Sequence, residues 1–111
     1  MALVYLYQSR GMSKDIQIQD AAGNVIMPSA SDKIRATIGR LGETAKLIVS
    51  SDTPSANGST FTKGALNRLV LKAADLAAIE PGTYTLSIDF YCNVDAAWKN
   101  VDRQVAFVEK T

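Results

Sequence analysis

No histidine occurs anywhere in the 111 residues. Its absence removes the commonest zinc ligand, the commonest general base and every Ser-His or Cys-His nucleophile arrangement. A single cysteine, Cys92, excludes an intrachain disulfide and any multi-cysteine metal site, so stability has to come from core packing. Blocks of one charge are missing as well: 12 Lys+Arg against 11 Asp+Glu leave a net charge of +1 with the signs interspersed. That pattern carries no electrostatic footprint for nucleic acid and no acidic tail. Long apolar runs are also lacking. The longest near the start, Ala2 to Tyr7, has no basic segment before it and falls far short of a signal core or a membrane span, so no membrane passage is expected.

What is present describes an ordinary globular chain. Apolar residues make up 47% and charged residues 21%, which argues against disorder. The length suffices for one hydrophobic core and is too short for two good ones, so residues 1–111 are read as a single domain.

Period-two alternation dominates the chain. Lys14 to Asp20 places Ile16 and Ile18 on one face and Asp15, Gln17 and Gln19 on the other. Asp20-Ala21-Ala22-Gly23-Asn24 supplies turn chemistry, and Val25-Ile26-Met27 resumes the apolar pattern, which predicts a hairpin. Lys33 to Arg40 turns Ile34, Ala36 and Ile38 inward, and Ala45 to Ser50 is apolar enough to be its partner. Ser51 to Ser59 is rich in turn formers and is expected to be the longest exposed and most mobile loop. Phe61 lies between threonines and Asn67 to Leu71 is strand-compatible, with Lys63-Gly64-Ala65 interrupting the pairing.

Lys72 to Ile79 changes period: it is alanine-rich, with Leu76 and Ile79 three apart, and predicts one short helix ending before Glu80-Pro81-Gly82. Thr83 to Cys92 alternates most strongly of all, with Tyr84, Leu86, Ile88, Phe90 and Cys92 on one face, and reads as a central strand. Asn93 to Asp102 is expected to be a polar turn carrying Trp98, and Arg103 to Glu109 a last strand with Val105 and Phe107 facing one way. Seven or eight short strands with one short helix describe an all-β, two-sheet sandwich.

Candidate sites are few. The carboxylates that could act as a pair are Asp89, Asp95, Asp102 and Asp52, and no spacing among them implies convergence; a calcium site would need a denser Asp/Asn motif than any loop here offers. Cys92 ends an apolar strand face, where a thiol behaves as a small hydrophobe. Gly39 and Gly42 complete no phosphate-cradling pattern, and Asn57-Gly58-Ser59 reads as a turn rather than a glycosylation acceptor. With no catalytic constellation, cofactor motif or metal cluster in the pattern, no enzymatic activity is expected.

Surfaces remain. Leu3-Val4-Tyr5-Leu6-Tyr7 is apolar on both faces: it is either an ordinary first strand at the domain's rim or an edge strand that adds to a neighbouring subunit, with Leu3, Tyr5 and Tyr7 as interface residues. Trp98, outside the alternating pattern, either folds over the end of the core or anchors a partner. Together with Tyr91 and the loop Ser51 to Ser59 it also offers the aromatic faces and Asn/Asp/Ser side chains that suit a carbohydrate or host-surface module.

One ordered set of segments carries a family resemblance. Asp15-Ile16-Gln17-Ile18-Gln19-Asp20-Ala21-Ala22-Gly23-Asn24-Val25-Ile26 is followed by Ile34-Arg35-Ala36-Thr37-Ile38, then by Leu71 through Ala78 leading into Pro81-Gly82-Thr83-Tyr84-Thr85-Leu86. This order resembles small Ig-like sandwich domains of phage virion proteins and is similar to the N-terminal domain of phage baseplate upper proteins, over roughly residues 14–109. The chain departs from that pattern at Met27-Pro28-Ser29-Ala30, and no appended receptor-binding or fibre module is expected. The resemblance implies an Ig-like sandwich and a structural protein of a bacteriophage particle (tail, baseplate, neck or head-associated). Such a protein would be made in the host cytoplasm and act in the virion through contacts with other virion proteins and with copies of itself.

Overall fold

A computed structural model describes residues 3–20, 22–64 and 66–110. Ala2, Ala21 and Ala65, which belong to the expected first apolar run, hairpin turn and interruption, lie outside the described residues. The elements in chain order are β1 (Leu3–Tyr7), β2 (Met12–Ile16), β3 (Ile18–Gln19), β4 (Val25–Ile26), β5 (Lys33–Gly39), β6 (Leu47–Ser50), β7 (Thr60–Thr62), β8 (Asn67–Leu71), α1 (Ala73–Ala77), β9 (Gly82–Cys92) and β10 (Ala97–Glu109).

A five-stranded sheet in the order β1-β10-β9-β5-β6 faces a three-stranded sheet in the order β2-β8-β7, and β3 and β4 form a separate hairpin. Every pairing is antiparallel except that of β1 with β10, which is parallel. This is an all-β, Ig-like sandwich. Among the described residues ten strands stand where seven or eight were expected, partly because the predicted strand Lys14 to Asp20 breaks at Gln17 into β2 and β3, which pair with different partners.

The alternation translates directly into the core. Ile34, Ala36 and Ile38 of β5, and Tyr84, Leu86, Ile88 and Phe90 of β9, are all buried, and they meet Ile16, Phe61, Leu69 and Leu71 of the opposing sheet in one hydrophobic cluster. Each fully buried Leu or Ile contributes about 1.5–3 kcal/mol relative to exposure. β9 is central, paired to β10 on one side and β5 on the other. The hairpin turn closes through Gly23, whose φ of 87° and N–H to the Asp20 carbonyl fit a residue without a side chain. The Asp20 carboxylate adds bonds from the Ala22 and Asn24 N–H groups.

The helix is shorter than the expected Lys72 to Ile79, because Ala78 and Ile79 form only a closing turn before Glu80. Immediately after it, Tyr84 at the start of β9 donates its hydroxyl to the Glu80 carbonyl at 2.6 Å, the tyrosine-corner arrangement of immunoglobulin-like sandwiches. Two residues on, where antibody domains place the second cysteine of their inter-sheet disulfide, stands Leu86, 1% exposed. Apolar contact between the sheets takes the disulfide's place.

The largest difference from expectation lies at the end of the chain. The polar turn is confined to residues 93–96, and β10 begins at Ala97, so Trp98 lies within a strand opposite Tyr91. A β-bulge between Asn100 and Asp102 interrupts the alternation of β10, so a single two-residue period does not describe the whole strand.

Candidate functional site

The three-stranded sheet and α1 cover one face of the five-stranded sheet, and its other face is open. Register assigns that outer face. From β1 come Leu3, Tyr5 and Tyr7, opposite Val105, Phe107 and Glu109 of β10. Val4 and Leu6 point the other way, Leu6 being completely buried. The first run is therefore apolar on both sides because one side joins the core while the other stays in solvent. Leu3 is 57%, Tyr5 53% and Tyr7 39% exposed. Tyr5 stacks on Phe107 with ring centroids 5.2 Å apart, which extends the apolar stripe onto β10.

β1 is also the edge of its sheet, bonded to β10 on one side only. It carries no charge, no proline and no bulge, the usual guards against edge pairing. Val105 and Phe107 share the outward face with Tyr5, a placement that sequence reading left unassigned because an apolar pair on a last strand suits either side.

A second cluster occupies the far end of the same face. Trp98 and Tyr91 sit side by side on β10 and β9, 5.4 Å between centroids and tilted by 55°. The Arg35 guanidinium lies 4.0 Å from the Trp98 ring centre and pairs with Asp89 at 3.5 Å. Lys33 stands over Tyr91 at 5.6 Å and pairs with Asp52 at 3.3 Å. Trp98 thus neither folds over the end of the core nor projects from a loop: it lies on the open face, 40% exposed, with one side against Arg35.

The loop from Ser51 to Ser59 divides. Its first part, at Ser51 and Asp52, lies beside Lys33 and the aromatic pair. Its second part turns inward around Asp75 of α1, whose carboxylate accepts hydrogen bonds from the Ser55 and Ser59 hydroxyls and from the Asn57 side-chain amide. Ser59 is fully buried and its Oγ accepts the Lys72 N–H at 2.8 Å. Burial pushes the Asp75 carboxyl up, but these donors outweigh it and hold it below the usual carboxylate range. The Asn57-Gly58-Ser59 tripeptide is the turn of this assembly, with Gly58 at a φ of 89°.

The carboxylates considered from sequence do not converge. Asp89 is engaged with Arg35 and Asn100, Asp95 with Lys99, Asp102 with Gln104 and its neighbour's N–H, and Asp52 with Lys33. Among the described residues no three Asp, Glu, Cys or His side chains gather as a metal site. Cys92 is half-buried at the end of β9, packed against the core. Among the described residues no helix is long and apolar enough to cross a membrane.

No protein-family model matches the chain, and no curated protein matches it. Among solved structures it is similar to that of the NK cell receptor Nkp44, a triggering partner in natural cytotoxicity, with a TM-score of 0.49 and 9% identity over 99% of this chain and 97% of that one.

Proposed function

We propose that this chain is a non-enzymatic assembly module, a structural protein of a bacteriophage particle that works through contacts with other virion proteins and with copies of itself. The observation that carries the reading is the unguarded edge strand β1, with Leu3, Tyr5 and Tyr7 exposed beside the Tyr5–Phe107 stack. Antiparallel addition of a second strand there would satisfy the free backbone groups and cover the aromatic stripe together. The resemblance of the segment order to phage Ig-like sandwich domains is what suggests the virion setting.

Mass in solution at high concentration tests it, with Tyr5→Lys as the edge-blocking variant. Wild type should exceed the single-chain mass or bind purified particles that lack it, and Tyr5→Lys should do neither. A wild-type chain that stays monomeric and ignores such particles removes the proposal.

A second reading has its own observation. Trp98 and Tyr91 form one aromatic surface beside Lys33 and Asp52, which suits a carbohydrate on a host surface. A glycan array with wild type and Trp98→Ala decides it: binding by wild type alone favours this reading, and binding by neither eliminates it.

A further inference from the structure

Between the β5–β6 hairpin and β10, the outer face of the five-stranded sheet sinks into a groove of about 380 Å³. The residues that form its floor are small. Thr37 and Ser87 stand in one cross-strand row with Arg103, and Gly39 and Thr85 in the next. At Gly39 a side chain would meet the Ala45 backbone at 3.2 Å, so the missing Cβ lets the hairpin close against the sheet and form one wall. Arg103 forms the other.

Two features of this groove face solvent. The cations on the strands and hairpin around it are otherwise paired: Lys33 with Asp52, Arg35 with Asp89, Arg40 and Lys46 with Glu43, and Lys99 with Asp95. Arg103 alone of this set has no carboxylate among the described residues. The hydroxyls of Thr37, Thr85 and Ser87 bond no other described residue and are open to the solvent of the groove. The guanidinium and the three hydroxyls share this depression with the Glu43 carboxylate, itself paired with Arg40 and Lys46, so Arg103 is the one lining cation whose charge is left for an incoming carboxylate, which also accepts from hydroxyls. At the rims the chemistry turns apolar, with Leu41 fully exposed on the hairpin and Val105 beside Thr85.

We propose that this groove binds an extended acidic segment of a partner protein, one carboxylate seated against Arg103 and the hydroxyl floor and flanking apolar side chains resting on Leu41 and Val105. This surface adjoins the β1 stripe only at Val105, the neighbour of Leu3, and its charged seat at Arg103 does not depend on whether that edge assembles.

The probe is an end-blocked hexapeptide alternating glutamate and leucine, titrated into isotope-labelled protein at low salt with backbone amide shifts as the readout. Saturable shifts at Thr37, Thr85 and Ser87 are expected. Arg103→Gln and the glutamine version of the peptide should each weaken binding about tenfold, the size of one charge-assisted hydrogen bond. The Tyr5→Lys variant should bind the peptide as wild type does, which separates this outcome from the assembly reading. Equal binding of the glutamine peptide, an unaffected Arg103→Gln variant, shifts mapping elsewhere, or saturation by sodium acetate at the same affinity would each overturn the proposal.

Discussion

The Ser59 hydroxyl donates to the Asp75 carboxylate while accepting the Lys72 backbone N–H, so one buried side chain fastens the end of the longest loop to the start of the only helix among the described residues. Its location explains why a segment composed almost wholly of turn residues is anchored at its second half. A carboxylate holding several donors inside the protein is costly to disturb, because each bereft donor keeps its desolvation penalty.

Replacing Asp75 with Asn should therefore destabilise the fold by about 1–3 kcal/mol at neutral pH, measured by urea denaturation. The pH response has a definite sign. The folded carboxyl is held below its ordinary value of 3.8, so its contribution is complete above that value and disappears as pH falls through the lower, folded one. Wild type should lose more stability than Asp75→Asn between pH 5 and strongly acid solution. Parallel losses would show that Asp75 does not drive the acid response.

Tyr84→Phe removes one hydroxyl and leaves the ring under the Arg40 guanidinium, 4.2 Å away. The expected cost is about 1 kcal/mol from the lost bond to Glu80, with an unchanged denaturant slope. A neutral substitution would mean that water replaces the Glu80 partner without loss.

Arg35 and Trp98 touch on an open face, so neither substitution alone should threaten the fold. A double-mutant cycle of Arg35→Ala and Trp98→Ala should give a coupling of about 0.5–1 kcal/mol, the range of exposed cation–π contacts. Trp98 is the single tryptophan of the chain, so Arg35→Ala should also alter its emission spectrum directly.

The Lys63 ammonium, at the end of β7, donates to the carbonyls of Ser29, Ala30 and Asp32 in the loop entering β5. The Asp32 carboxyl in the same loop is held low by the N–H groups of Asn93 and Ser29, with Lys63 adding its charge. Lys63→Met should leave the core intact but speed hydrogen exchange at residues 29–32, because three carbonyls lose their shared donor. Unchanged exchange there would assign the loop's order to Asp32 alone.

These relationships divide cleanly by what a sequence can display. β5 and β9 were legible because every second residue enters the core, and Gly23 marked its turn because few other residues take that backbone angle. The Asp75 assembly was not, since Ser55, Asn57 and Ser59 look like ordinary loop residues until folding brings α1 against them. The strand position of Trp98 was not legible for a different reason: Lys99, Asn100 and Asp102 are polar on a strand whose first four residues are exposed on both sides, and the bulge cancels the alternation that would have marked it. The outer face was only half visible, because a sequence shows which residues are apolar and not which of two faces a second sheet will cover.

That bulge sets a parity rule for the last strand. Before it, even-numbered residues such as Trp98 and Asn100 look outward; after it, odd-numbered ones such as Arg103, Val105 and Phe107 do. One surplus residue thus lets the aromatic corner, the arginine and the apolar stripe share a single face. Deleting Val101 would restore regular pairing and leave both ends facing as they do now, at the cost of its contact with the core. Deleting a residue a few places further along would instead turn part of the strand inside out.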